Sequence, residues 1–461
     1  MLDQSFSADN FFKIFHIENR KGTFNRKLLS EEYLRIHEKV KFLFSVKGIM
    51  AKEKFDEELD QLNESKKDAL LKYLEEISEK CNEKSFNFKL NDFEKDGKVI
   101  YTVKKDAPSF FAMKQLQYNI AKTFKVKQSS RYDIVKQLRI LLEDGFPKFV
   151  IRIDVKGFYE SIPQDVLLKK INENQLLNFY SKRLLKALVY SYENHKDLTK
   201  FKKEFGVPRG VGVSAYLSEL YMRDVDSEIK SLPYLVYYAR YVDDIILFFI
   251  PPSAEKLPDY DYYNKIDAIV KNHGLSLKDG SDGGQNKTLK IDLFQPNINT
   301  KFDFLGYKFV IEQSKLKELS LSDNKLQKYD DRLKLVIEDY NKNSKFNEKA
   351  ARKLLISRFK FLTGNFHLLN TRKRIKSGIY YSNVLIKDNC KDNEEFKRLN
   401  NLIKKYLAKL KPHTGLKVDI SKLKKRILDR YSFQEGFKNR ERRFHSFKNK
   451  PFKKIVSIWK N

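Results

Sequence analysis

The run Tyr237-Tyr238-Ala239-Arg240-Tyr241-Val242-Asp243-Asp244-Ile245-Ile246-Leu247-Phe248-Phe249 sets two adjacent aspartates between stretches that are aromatic or β-branched almost throughout. Such stretches read as buried strands, so the aspartates fall at the tip of an apolar hairpin. Charged side chains are almost never buried without a partner. Two carboxylates in this setting therefore suggest a divalent metal ion as that partner. The tetrapeptide Tyr241-Val242-Asp243-Asp244 is short enough to arise by chance, and its context decides the matter.

That context begins with Phe149-Val150-Ile151-Arg152-Ile153-Asp154-Val155-Lys156-Gly157-Phe158-Tyr159-Glu160-Ser161-Ile162-Pro163. An alternating apolar strand runs into Asp154, and a short turn leads towards a helix starting near Pro163. Asp154 would then end a central strand, with its side chain in a cleft. Two-metal phosphoryl transfer needs carboxylates from two separate strands, bridging ions about 4 Å apart. Asp154 and Asp243 are the natural pair, with Asp244 as an outer or transient ligand. An Asp that merely caps the turn after its strand is the alternative for Asp154. The presence of Asp243-Asp244 weighs against it.

Composition agrees. Lys and Arg number 92 against 61 acidic residues, a formal charge of +31. Such an excess implies a polyanionic partner held through counterion release. An acidic membrane surface would satisfy the same charge, but no run approaches the roughly 20 apolar residues of a spanning helix. Met1-Leu2-Asp3-Gln4-Ser5 lacks a basic region followed by an apolar stretch, so no signal peptide is expected. Cys81 and Cys390 cannot build a disulfide framework or a zinc site, which fits a reducing cytoplasm. No Gly-x-x-x-x-Gly-Lys-[Ser/Thr] loop is present, which argues against an ATP-driven motor.

Further motifs follow in order: Gly206-Val207-Pro208-Arg209-Gly210-Val211-Gly212-Val213-Ser214-Ala215, then His273-Gly274-Leu275-Ser276-Leu277 with Asn286-Lys287-Thr288 after an insertion, then Phe302-Asp303-Phe304-Leu305-Gly306-Tyr307-Lys308-Phe309. Together with the Asp154 and Asp243-Asp244 segments, these resemble the ordered motifs of the reverse transcriptases over roughly residues 95–310. The wording Phe158-Tyr159-Glu160-Ser161-Ile162-Pro163 and the Pro208-Arg209-Gly210 loop are most similar to the bacterial antiviral, defence-associated and abortive-infection group. Within that group the likeness is to the type encoded as a pair of polymerases with a small RNA. Two departures stand out: Arg209 where many members carry Gln, and Ala215 where many carry Pro. A permanent guanidinium charge suits phosphate better than neutral readout of a template, which questions ordinary templated copying.

The resemblance implies an α+β right-hand polymerase with fingers, a palm built on an antiparallel sheet, and a helical thumb. Expected divisions are a charged helical region over 1–95, fingers and palm over 96–310, and a basic helical thumb with C-terminal extension over 311–461. It implies two Mg²⁺ ions, with Mn²⁺ as the alternative, held by Asp154, Asp243, Asp244 and the Val155 backbone carbonyl. Tyr159 would lie under the sugar and exclude a 2′-hydroxyl, or else simply pack in the palm. Arg209, Gly210 and Lys287 would contact the nucleotide, Lys287 protonating or neutralising the departing pyrophosphate. Arg131 either grips the triphosphate or is an ordinary surface arginine. Phe304, Leu305, Gly306 and Tyr307 would form the primer grip. Implied partners are a noncoding RNA template, a DNA product, and a second reverse transcriptase subunit or further copies of the chain, with no membrane.

Around these motifs the chain reads largely as helix. Residues 51–84 carry Phe55, Leu59, Leu62, Leu70, Leu71, Leu74 and Ile77 at helical spacing. That helix either packs on the polymerase body or docks a second subunit or RNA. Residues 86–103 read as a hairpin turning at Asp96-Gly97, 105–145 and 164–203 as helical, and 324–340, 349–362, 392–410 and 421–431 as thumb helices. The last 25 residues hold nine Lys or Arg interleaved with Phe437, Phe444, Phe447, Phe452 and Trp459. They suit a nucleic-acid strand or, equally, a solvated tail.

Overall fold

A computed structural model describes residues 2–21, 24–95, 97–252, 261–278, 288–368, 375–386, 394–411 and 419–459. The chain divides into two units, 1–129 with 150–291, and 130–149 with 292–461.

The first unit opens with helices α1 (Ala8–Lys21), α2 (Glu31–Ser45) and α3 (Lys52–Asn82). In α3 four residues of the expected stripe, Phe55, Leu70, Leu74 and Ile77, are nearly inaccessible, while Leu59, Leu62 and Leu71 are half-buried. Each of the four inaccessible side chains stabilises by about 1.5–3 kcal/mol. The predicted hairpin is β1 (Leu90–Lys95) with β2 (Lys98–Val103), and Gly97 supplies the positive φ of +68° that its turn requires. Asp96, the other turn residue, lies outside the described residues.

The helical stretch expected over 105–145 is two helices, α4 (Ala107–Thr123) and α5 (Arg131–Glu143). The break has a local cause. Lys125 takes φ +51°, and the Ser130 hydroxyl accepts a hydrogen bond from the Asp133 N–H, capping a new start. Helix α5 belongs to the second unit.

Strand β3 (Phe149–Asp154) leads into α6 (Gln164–Glu173), α7 (Phe179–His195) and α8 (Ser214–Lys230), followed by β4 (Leu235–Tyr241), β5 (Asp244–Phe249), α9 (Tyr262–Asn272) and β6 (Leu289–Asp292). The four strands form one sheet in the order β4-β5-β3-β6. This order puts the aspartate-bearing hairpin directly beside the strand that ends in Asp154. The strand residues Val150, Ile151, Ile153 and Ile245 to Phe249 are fully buried, as continuous apolar runs require.

In the second unit β7 (Thr300–Phe304), β8 (Tyr307–Glu312) and β9 (Lys315–Leu321) make an antiparallel sheet. The change to helix expected after residue 310 comes only after β9. Its lysines hid a strand whose register against β8 shifts at Val310/Ile311, which blurs the alternation. Then come α10 (Asp323–Asn343), α11 (Glu348–Thr363), β10 (Asn365–His367), β11 (Lys376–Gly378), α12 (Glu394–Ala408), α13 (Ile420–Arg430), α14 (Phe433–Lys438), β12 (Phe444–His445) and α15 (Asn449–Val456). The C-terminal aromatics are structural: Phe447, Phe452 and Trp459 pack with Phe361 and Phe366 around buried Ile455. They are not a row of open stacking platforms.

Candidate active site

Strands β4 and β5 pair down to Tyr241↔Asp244, leaving Val242 and Asp243 as a two-residue turn. Val242 has φ +60°, a left-handed conformation that is costly for a β-branched side chain. Arg240 holds the turn from below. Its Nη1 donates to the Val242 carbonyl at 3.1 Å. The rest of its guanidinium is taken by Asp226 (Nε 2.8 Å, Nη2 2.8 Å) and Glu219 (Nη1 3.1 Å, Nη2 2.7 Å). Those two acids lie seven residues apart on α8, which is two turns and hence one face. Tyr238 adds its hydroxyl to Asp226 at 2.6 Å. Burial alone would depress the Arg240 pKa, but the hydrogen bonds and charges of Asp226 and Glu219 hold it above its ordinary value.

Asp154 ends β3 and is completely buried. The next residue, Val155, donates its N–H to the Asp243 carbonyl at 3.0 Å, which ties the two acid-bearing segments together. On its other side Val155 bridges Leu277, and the Lys278 N–H donates to the Asp154 carbonyl at 2.9 Å. The Lys278 ammonium forms an ion pair with Asp154 Oδ1. Arg152 Nη2 donates to Asp244 Oδ1 at 3.0 Å. Burial first, and the Asp154 charge second, raise the Asp243 carboxyl above the usual carboxylate range, with Lys278 opposing.

The sheet thus brings the three predicted aspartates together. Among the described residues no three Asp, Glu, His or Cys side chains stand as a ready-made metal cage. Lys278 and Arg152 hold Asp154 and Asp244 instead. The donor set nevertheless fits a hard divalent ion: it is all oxygen, partly buried and mutually repulsive. The Lys278 ammonium already stands where a cation is wanted, on Asp154.

Beside the acids, Arg209 donates from Nε and Nη2 to the two oxygens of Glu160 at 2.7 and 2.8 Å. The same guanidinium lies 5.0 Å from the centre of the Tyr159 ring. The Glu160 hydrogen bonds raise the Arg209 pKa, and burial raises that of the Tyr159 hydroxyl. Both groups feel the Asp243 charge, which places them in the same site. Backbone bonds from Gly206 N–H to the Ile162 carbonyl and from Val207 N–H to the Tyr159 carbonyl, both 2.7 Å, fasten the loop to the turn after Asp154. Gly210 has a packing reason to be glycine. At φ +97° a Cβ would lie 2.6 Å from Ile100 Cγ2 and 2.8 Å from the Tyr101 carbonyl oxygen.

Arg131 and the predicted primer-grip residues belong to the second unit. The β7–β8 turn is Leu305-Gly306, both at positive φ (+45° and +73°). Arg131 Nε donates to the Leu305 carbonyl at 2.6 Å, and its guanidinium lies 5.4 Å from the Tyr307 ring centre. Arg131 is thus joined to the predicted primer-grip hairpin. Lys287 lies outside the described residues. Sequence reading missed Arg240, Glu219, Asp226, Arg152, Glu160 and Lys278 as members of the site. The available signal was an arginine inside an apolar strand, Arg240, and two acids at i and i+7 on the preceding helix.

Residues 68–309, just over half of the chain, match the family described as reverse transcriptase (RNA-dependent DNA polymerase). The chain belongs to that family, whose members are nucleotidyltransferases that use divalent metal ions, and its mixed α+β fold is of the right-hand polymerase class. Among solved structures it is similar to telomerase from Candida albicans in complex with a TWJ fragment of telomeric RNA, at 15% identity over 76% of this chain and 62% of that one, with a TM-score of 0.34. It is also similar to apo telomerase from Candida tropicalis, at 14% identity over 81% of this chain and 60% of that one, with a TM-score of 0.36. The chain spans about three fifths of those two telomerase chains. Likeness at that level is too slight to bear on function. A comparison with the curated proteins finds no match.

Proposed function

We propose that this protein is an RNA-directed DNA polymerase of the bacterial antiviral group, extending DNA on a stably bound noncoding RNA with two Mg²⁺ ions, or Mn²⁺ in their place. The observation that carries the reading is the meeting of Asp154, Asp243 and Asp244 where the β3 end and the β4–β5 turn are joined by the Val155–Asp243 hydrogen bond. Residues 96–310 would serve as fingers and palm, and 311–461 as thumb and extension. A second polymerase subunit, or another copy of the chain, is the protein partner this reading carries.

Asp154 and Asp243 would hold the ions, with Asp244 and the Val155 carbonyl assisting. When bound, such ions activate the attacking 3′-hydroxyl and stabilise the leaving pyrophosphate. The chain's own contribution is positioning. Lys278 pairs with buried Asp154 and Arg152 with Asp244, which holds both carboxylates in place. Tyr159, whose ring lies by the Arg209 guanidinium, would meet the sugar. Lys287 remains the proposed neutraliser of pyrophosphate.

One observation favours a second reading, in which the same site synthesises DNA without a nucleic-acid template. The Nε/Nη2 edge that Arg209 could offer to a template or nucleotide is given to Glu160. The third reading, an inactive polymerase fold that binds RNA, is disfavoured by the retained and costly acidic cluster. Purified protein should be supplied with deoxynucleotides, with and without its co-purifying RNA, and the product sequenced. Product complementary to that RNA supports templated synthesis. Equal product after the RNA is removed would select the second reading, and no product with any divalent ion the third.

A further inference from the structure

The α8 face that carries Glu219 and Asp226 also borders an open, polar cavity of about 330 Å³. Lys125, Lys127, Arg223 and Lys230 line it, with Arg240 as its buried member. Its five cations face only two carboxylates, Glu219 and Asp226, and Arg240 engages both. Among the described residues, none of the four outer cations has an ion-pair partner. Arg223 donates to the Phe124 carbonyl, and Lys230 lies 5.1 Å from the Tyr238 ring centre.

We propose that this cavity is a second phosphate site, distinct from the aspartate cluster, which takes the backbone of a single-stranded nucleic acid. Uncompensated like charges in a concave surface concentrate anions, and four long side chains can follow a backbone. The volume is at the low end of small-molecule pockets, about 300–1,000 Å³. Val126 is its one apolar lining residue, so a free nucleotide would find no wall for its base. A strand whose bases turn outward needs none. The proposal requires only these charges and does not rest on the polymerase reading.

Acetylation footprinting of the full-length protein, read by mass spectrometry, tests it with a single-stranded RNA oligonucleotide, with a deoxynucleoside triphosphate, and with neither. The oligonucleotide is expected to protect Lys125, Lys127 and Lys230. Protection by the triphosphate alone would keep the phosphate site but overturn the strand as its ligand. Protection by neither overturns the proposal. In the Lys125→Gln/Lys127→Gln/Lys230→Gln variant the slope of log affinity against log salt should fall by about 2, since each lost contact to a single strand is worth about 0.7. An unchanged slope also overturns it. Asp243→Asn protein, run in parallel, separates this site from the catalytic reading: it should lose incorporation and keep the footprint.

Discussion

Replacing Arg209 by Gln removes two charge-assisted hydrogen bonds, of 2.7 and 2.8 Å, to the carboxylate of Glu160. Hydrogen bonds to charged groups are worth about 1.5–3 kcal/mol each, but these side chains are 21% and 22% exposed and partly screened by solvent. A coupling of about 2 kcal/mol for the pair is a fair magnitude, which is roughly 30-fold in kcat/KM. If the pair acts by pinning the 206–213 loop and the Tyr159 ring, Arg209→Gln and Glu160→Gln should each lower kcat/KM for single-nucleotide incorporation by about 30-fold. The double variant should then be no worse than either single one. Losses that multiply, to about a thousandfold in the double variant, would refute the coupling. A gain of activity in Glu160→Gln would show instead that Glu160 sequesters an arginine needed by the substrate. Sequencing the products adds a second readout. A changed sequence in Arg209→Gln but not in Glu160→Gln would mean that Arg209 chooses the nucleotide directly.

Asp154→Ala and Asp243→Ala should each reduce incorporation by on the order of a thousandfold or more while a filter-binding assay shows RNA affinity nearly unchanged, because Lys and Arg elsewhere hold the backbone. Full polymerisation by either variant would remove the site assignment. Tyr159→Ala should admit ribonucleotides, relaxing sugar discrimination by about 10- to 200-fold in competitive incorporation; unchanged discrimination would place the gate elsewhere. Burial, with the Arg131 charge beside it, brings the Lys325 ammonium from its ordinary 10.5 down to about 7. Its unfolded form therefore binds more protons between about pH 7 and 10.5, so this group makes stability rise with pH across that window and imposes its full penalty below it. Lys325→Met should accordingly stabilise the protein more at pH 6 than at pH 9.5 in urea unfolding, and equal effects at both values would contradict the assignment.

The acid-bearing segments were legible because their signals are local. Asp154 follows an alternating strand, Asp243-Asp244 interrupts an apolar hairpin, and Gly97 marks a turn between apolar runs. The supporting shell was not legible, because it depends on sheet order and helix facing. Only the order β4-β5-β3-β6 puts Arg152 beside Asp244, and only the packing of α8 under β4 delivers Glu219 and Asp226 to Arg240. Arg209 shows the difference most plainly. Its charge suggested a free ligand for phosphate, whereas Glu160, the neighbour of Tyr159, takes its Nε/Nη2 edge. The C-terminal aromatics misled in the opposite direction. Interleaving with lysine is also what a small amphipathic core looks like when it closes on Phe361 and Phe366.

The Val242 turn shows why that supporting shell exists. A β-branched residue in the left-handed region costs on the order of 1–3 kcal/mol and persists only where its surroundings over-determine it. Here the determination comes from one guanidinium. Arg240 is anchored by two carboxylates of α8 and spends its remaining reach on the Val242 carbonyl. The Asp243 carbonyl is taken in turn by the Val155 N–H, so the residues on both sides of the Val242–Asp243 peptide are fixed by bonds from different elements. A glycine at 242 would relieve the strain but give the turn more freedom. The strained valine, held by a buried arginine, keeps the Asp243 carboxylate next to Asp154 despite their repulsion, and that proximity is what a two-ion site requires.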